Sequence, residues 1–140
     1  MAEDAYRIAT DPDPFKPFYI SQAFRVGDLV ITSGQAALSP EGELVGIGDF
    51  DAQAAQTFAN LTAVLKAAGS SLDQVVKVTI YLTDMANFPK IVELRQRYFS
   101  APYPADTIVE VKSLALPELE IEIEATALVA GETREALKKQ

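Results

Sequence analysis

Acidic side chains are the groups in this sequence best suited to chemistry. The chain has 20 aspartates and glutamates against 12 lysines and arginines, and it has neither histidine nor cysteine. A serine–histidine triad, a thiol nucleophile and the usual zinc or iron ligands are therefore excluded. Any reaction must rely on carboxylates, hydroxyls, basic side chains, or backbone groups that hold an ordered water.

Three glutamates, Glu120, Glu122 and Glu124, alternate with apolar residues in the segment ELEIEIEA. This period of two predicts a strand over about residues 119–129, with the glutamates on one face and the apolar residues on the other. Such a row is ordinarily a solvated sheet face. A carboxyl held in a cleft beside like charges would instead have a raised pKa and act as a general acid or base.

Two further charged residues, Arg95 and Asp106, stand out from their surroundings. Asp106 follows Pro104 and begins an alternating segment, where it could simply cap a turn. Arg95 interrupts an apolar helical stripe, so it either extends its head to water or pairs with a carboxylate. We expect Arg95 to approach Asp106 or Glu122, directly or across a subunit boundary. The stripe consists of Phe88, Ile91, Val92, Tyr98 and Phe99.

The elements that position these residues follow from periodicity and turn signals. The patterns predict two strands meeting at Gly27-Asp28 and a helix over about 51–68 capped by Asp49 or Asp51. A strand within 74–84 follows, and then a second helix that is opened by Asp84 or Asn87 and ends near Phe99. The last two predicted strands cover about 107–112 and 119–129. The strand within 74–84 should place Val76, Val78, Ile80 and Leu82 on one face. This order predicts the α+β class, a mixed sheet with two helices packed on one face.

Chain length and charge limit the number of domains, the location and the class of partner that the sequence predicts. A chain of 140 residues is expected to form a single domain, with a core of about 7–130 and a charged tail over 132–140. The acidic N-terminal segment lacks an apolar signal region, so a cytoplasmic location is expected, without membrane association. A net charge of −8 argues against nucleic-acid binding.

Four segments, ITSGQ (31–35), the block from Asn60 to Phe88, YPA (103–105) and EIEA (122–125), together resemble the YjgF-like Rid family of reactive intermediate deaminases. They occur in order over nearly the whole chain, from about residue 7 to 129. The resemblance implies a chorismate-mutase-like α+β fold and a homotrimer whose sheets form a barrel, with a small-molecule cleft between each pair of subunits. It also implies cofactor-independent hydrolysis of 2-imino or enamino acids to 2-oxo acids and ammonia.

The resemblance also implies roles for individual residues. Glu122 matches the glutamate of the EIEA-type strand end and would position the attacking water, while Ser33 and Gly34 keep the SGQ turn that lets backbone approach a ligand. In imine-deaminating members an arginine in a P-A-R-[ST] motif grips the substrate carboxylate. Asp106 occupies that position here and is followed by Thr107, so the charge is reversed.

Three other site positions also depart from the family pattern. Ile20 stands where a cleft tyrosine is expected, with Tyr19 one residue early; Val92 replaces an asparagine and Arg95 a tyrosine. A site in which Arg95 pairs with Asp106 would be nearly neutral and would suit a neutral or cationic ligand. If Arg95 is free, it could hold an acid from a new direction.

Two functions therefore compete on this scaffold. The first is hydrolysis of an imine, an enamine or a related reactive metabolite that lacks the usual α-carboxylate. The second is non-catalytic binding of a metabolite or client protein by a chaperone-like homotrimer, which the loss of the polar site residues favours. Ribonuclease activity, also described in the family, fits poorly with the negative charge and the absence of histidine.

Overall fold

The sheet of this protein is built from the alternating segments that the sequence analysis identified, with one addition at its edge. The computed structural model describes residues 2–137. The described part of the chain contains strands β1 (Ala5–Ile8), β2 (Ala23–Val26), β3 (Leu29–Thr32), β4 (Val75–Leu82), β5 (Ala105–Glu110) and β6 (Ile121–Leu128), with helices α1 (Phe50–Ala67) and α2 (Phe88–Tyr98). The strands form one sheet in the order β1-β2-β3-β6-β4-β5, in which only β4 and β5 are parallel.

Both helices pack on one face of this sheet. Phe58 and Leu61 of α1 are buried in the same cluster as Ile80 of β4 and Ile123 of β6. Tyr98, at the end of α2, stacks on the Phe58 ring with centroids 4.1 Å apart, which joins the two helices. The predicted α+β architecture, a mixed sheet with two helices on one face, is confirmed. Each helix buries its apolar side against the apolar face of the central strands.

Short polar contacts set the ends of the helices. The Asp49 carboxylate accepts a hydrogen bond from the Ala52 N–H at 3.1 Å, so Asp49 rather than Asp51 caps α1. Asp84 caps the short 3₁₀ turn that leads into α2, accepting from the Ala86 N–H at 2.9 Å.

Neither helix within residues 2–137 combines the length and the apolar character that a membrane span requires.

Three details differ from the sequence-based expectations. Strand β1 was not predicted; it is a mostly exposed edge strand whose conformation comes from its pairing with β2. A bulge between Val75 and Lys77 moves the alternation by one residue, so Val75 is buried and Val76 is only half-buried. In α2 the buried residues are Ile91 and Leu94, whereas Phe88 and Val92 of the predicted stripe are exposed.

The charged C-terminal tail has no helix or strand in the residues that the structure describes. Residues 132–137 continue from the turn at Gly131 without regular structure. The rest of the predicted tail, residues 138–140, lies outside the described residues.

Candidate functional site

An apolar groove of about 470 Å³ lies beside the start of β6. The proline-rich loop before β2 contributes Phe15 and Phe18, and the loop between β5 and β6 contributes Leu116. Ile20 completes this wall, and Glu122 of β6 brings a carboxyl group into the groove. The phenylalanines and Leu116 were not singled out from the sequence, although apolar residues within the loop segments DPDPFKPF and SLALPEL were a signal that could have found them.

Glu122 is held against the backbone of Gly34. The segment after β3 pairs with β6, since Gln35 and Ile123 exchange backbone hydrogen bonds of 2.8 and 2.9 Å. A Cβ atom added at Gly34 would lie 2.5 Å from the Glu122 carboxyl carbon, which is closer than real contacts allow. Only glycine therefore leaves the Glu122 side chain in this position. Ser33 lies beside it in the groove lining, and its hydroxyl donates to the Ser21 carbonyl at 2.6 Å.

The environment of Glu122 favours its protonated form. Burial raises the pKa of the Glu122 carboxyl, and the negative charge of Glu124, two residues along the same strand face, raises that pKa further. Glu124 accepts a hydrogen bond from the hydroxyl of Tyr81 on β4. The pKa of Tyr81 is raised, first by this hydrogen bond and then by burial and the two neighbouring carboxylates. Glu122 can therefore exchange a proton closer to neutral pH than an ordinary glutamate.

Glu120 departs from the predicted row of three glutamates. It precedes β6, and its carboxylate is 3.3 Å from the side-chain nitrogen of Gln53 on α1. The Gln53 side chain also accepts from the Glu120 N–H at 2.8 Å. Because Glu120 contacts Gln53 of α1, Glu122 and Glu124 are the two of these three glutamates that share the open sheet face. The alternation ends where the backbone leaves the strand to meet α1.

Arg95 and Asp106 form a two-pronged ion pair. Arg95 Nε donates to one oxygen of Asp106 at 2.9 Å, and Nη2 donates to the other at 3.1 Å. The side chains are 27% and 17% exposed, and the Phe88 ring lies 5.6 Å from the guanidinium carbon. Arg95 therefore pairs with Asp106 and not with Glu122. The side-chain partner of Asp106 is Arg95, and Arg95 is paired with a carboxylate instead of extending its head to water.

Within one chain, the predicted site residues form two clusters, the groove and the Arg95–Asp106 pair, and three further residues lie outside both. Ile20, Ser33, Gly34 and Glu122 line the groove. Asp106 pairs with Val78 in the β4–β5 register and is on the helix-covered face of the sheet, whereas Glu122 is on the open face. The remaining predicted residues are Thr107, which accepts from Lys77 on the open face, and Val92 and Tyr19, which are exposed.

Comparison with known proteins agrees with the fold and with the segments around the groove. Residues 9–129 match the family described as Endoribonuclease L-PSP. A RutC family protein of Pyrococcus abyssi is 41% identical over 91% of this chain and 98% of its own length. The chain belongs to the YjgF-like Rid family. The resemblance noted in the sequence is thereby confirmed.

Relatives in this family include proteins with named activities. A 2-iminobutanoate/2-iminopropanoate deaminase of Dermatophagoides farinae is 33% identical over 84% of this chain and 90% of its own length. The crystal structure of RidA from Psychrobacter is 40% identical, with a TM-score of 0.80 over 88% of this chain and 98% of that one. The Escherichia coli YjgF structure is 32% identical, with a TM-score of 0.76 over 88% and 98%.

The raised pKa of Glu122 predicts a pH-dependent stability. A carboxyl whose native pKa exceeds its unfolded pKa has no effect on stability below the unfolded pKa. As the pH rises from the unfolded to the native pKa the native state is progressively destabilised, and above the native pKa this cost is constant. We expect Glu122→Gln to raise the melting temperature by a few degrees at about pH 8 and to lose this advantage below about pH 4. Glu93→Gln, at an exposed position on α2, is the matched control. An equal gain at both pH values would contradict the assignment.

The Arg95–Asp106 pair predicts strong energetic coupling. Each single change, Arg95→Gln or Asp106→Asn, leaves the other partly buried group without its charged partner, so each should destabilise the protein. A double-mutant cycle measured by urea denaturation should give a coupling free energy of about 1–3 kcal/mol. The exposed Lys90–Asp51 pair, with side chains 47% and 75% exposed, is the control and should couple by less than about 1 kcal/mol. Similar values for the two pairs would contradict the structure.

Proposed function

We propose that this protein is a cofactor-independent hydrolase of a reactive imine or enamine, with Glu122 as general acid and base. The observation that carries the proposal is a half-buried carboxyl with a raised pKa, held over Gly34 in an apolar groove. It is supported by relatives named 2-iminobutanoate/2-iminopropanoate deaminase and Reactive Intermediate Deaminase A. A net charge of −8 disfavours a ribonuclease role, because it repels the phosphate backbone.

One carboxyl group is sufficient for this reaction. Ionised Glu122 takes a proton from water as the water oxygen bonds to the imine carbon, and it passes that proton to the nitrogen to give a carbinolamine. A second transfer through Glu122 moves the hydroxyl proton to the amino group. The carbon–nitrogen bond then breaks, ammonia leaves and the carbonyl forms, which returns Glu122 to its starting state. A pKa near the working pH suits a group that must both accept and donate.

The polar pair on the other face of the sheet bears on the substrate. Asp106 occupies the position where the family resemblance implies a carboxylate-gripping arginine, and it neutralises Arg95. A substrate carboxylate placed there would face a nearly neutral pair and would lack the attraction of an arginine, which is worth about 1–4 kcal/mol at a separation of 4 Å. We therefore propose that the substrate lacks the α-carboxylate of a standard 2-imino acid.

We further propose that the complete site lies between copies of the chain in a homotrimer. Within one chain the groove and the Arg95–Asp106 pair are on opposite faces of the sheet, so a second copy is needed to bring the two kinds of residue together. The open face also exposes apolar side chains that a partner would bury, including the cross-strand neighbours Phe24 and Ile31.

The trimer proposal predicts a defined mass and a way to disrupt it. Native mass spectrometry should show three chains per particle. Ile31 is 52% exposed on the open face, so Ile31→Asp should shift the population to monomers while the circular dichroism spectrum is retained. The control is Ile47→Asp, a loop position 65% exposed, which should remain trimeric. A wild-type protein that stays monomeric at micromolar concentrations would exclude an inter-subunit site.

The hydrolase proposal is tested with 2-iminobutanoate, generated in situ by an amino-acid oxidase and trapped with semicarbazide. Wild-type protein should accelerate 2-oxobutanoate formation weakly, because Asp106 disfavours the carboxylate. The double variant Arg95→Tyr/Asp106→Arg restores the family residue at two of the four departing positions, including the carboxylate-gripping arginine, and should raise kcat/KM about tenfold or more. Adding Glu122→Gln or Gly34→Ala to the double variant should lower its kcat/KM about 10²-fold, since one deletes and the other displaces the acid–base group.

The same charge reversal at an exposed loop position, Glu41→Arg, is the control and should leave the wild-type rate unchanged. Strong wild-type turnover of 2-iminobutanoate would overturn the argument from Asp106. Absence of turnover in the double variant would instead support a non-catalytic binding role for the scaffold.

A further inference from the structure

The chemical character of the groove beside Glu122 indicates which ligands it accepts. We propose that it binds a neutral imine or enamine with an aromatic or aliphatic body and no carboxylate. The reactive group in this inference rests on the proposed function, whereas the preference for a neutral, apolar body rests on the groove itself.

The walls of the groove supply an apolar surface of the size that small molecules occupy. Phe18 and Ile20 are 59% and 49% exposed, and they line the same space as Phe15 and Leu116. A volume of about 470 Å³ falls within the range of small-molecule sites. A ligand that covers these side chains would gain about 25 cal/mol for each Å² of apolar surface removed from water.

The polar groups of the groove do not favour an anion. Among the described residues, Glu122 is the one charged side chain that lines it. The Ser33 hydroxyl already donates to the Ser21 carbonyl, so its proton is committed. Lys16 is in the same turn as Phe18, but its side chain does not line the groove. A carboxylate bound here would lose its hydration without a cationic partner among the lining residues of the same chain, and it would face Glu122.

An imine nitrogen matches the hydrogen-bonding capacity of Glu122 in both protonation states. The protonated carboxyl can donate to the nitrogen lone pair, and the ionised carboxylate can accept from its N–H. A primary imine offers both groups on one atom. The polar end of the ligand is therefore expected at Glu122, with its apolar body against Phe15, Phe18 and Leu116.

The binding part of this inference is tested with benzamide, a neutral and stable mimic of an aromatic imine, and with benzoate, its charged counterpart. Backbone NMR shifts at Ser33, Gly34 and Glu122 should follow benzamide titration. At pH 8 benzoate should bind at least about tenfold more weakly than benzamide, which corresponds to about 1.4 kcal/mol, because its charge is desolvated without a cationic partner. Leu116→Gln should raise the benzamide Kd about threefold to tenfold. Leu137→Gln, 96% exposed and outside the groove, is the matched control and should leave it unchanged.

The reactive part is tested by turnover. Phenylmethanimine, generated from benzylamine by a flavin amine oxidase, should be hydrolysed to benzaldehyde and ammonia with a higher kcat/KM than 2-iminobutanoate is hydrolysed. Selective benzamide binding without turnover of either imine would leave the ligand class standing and would overturn the hydrolase proposal. Benzoate binding as tight as benzamide, shifts outside the groove, or faster turnover of 2-iminobutanoate would each overturn the ligand class.

Discussion

Strand β6 joins the core of this protein to its candidate site. It lies between β3 and β4, so its backbone is paired on both sides, and its alternation puts Ile121 and Ile123 into the core while Glu122 and Glu124 stand on the opposite face. The exchange of hydrogen bonds between Ile123 and Gln35 then places Gly34 against the Glu122 carboxyl. The apolar packing that stabilises the fold therefore also determines where the carboxyl is held and how far it is removed from water.

The Arg95–Asp106 pair links helix α2 to strand β5 through a partly buried charged contact. Without Arg95, the Asp106 carboxylate would be unpaired on the helix-covered side of the sheet, which is costly. Arg95, one turn before the end of α2, donates two hydrogen bonds to the Asp106 carboxylate and lies near the Phe88 ring. The two residues therefore form one electrostatic unit, in which each charge depends on the other for its partner.

Most of the fold was predictable from the sequence because the central elements have strong periodicity and clear caps. Helix α1 has a long apolar face and a capping aspartate, and β6 alternates over its full length. The misses have local causes. The edge strand β1 depends on its partner, the bulge near Val75 shifts an otherwise regular pattern, and Glu120 turns to Gln53 where the strand has ended. None of these features leaves a periodic signal.

The fold class and the family could be read from the amino-acid sequence, and Glu122 could be singled out as a candidate, because alternation, helix caps and motif order are local properties of the chain. Tertiary structure alone decided the surroundings of the Glu122 carboxyl. Burial of Glu122 and the apolar wall of Phe15, Phe18 and Leu116 depend on segments distant in sequence being brought together. The choice of Asp106 as the partner of Arg95 likewise depends on the packing of α2 against β5. Proton affinity and charge pairing are set by distance and solvent exposure, and only the folded chain defines these.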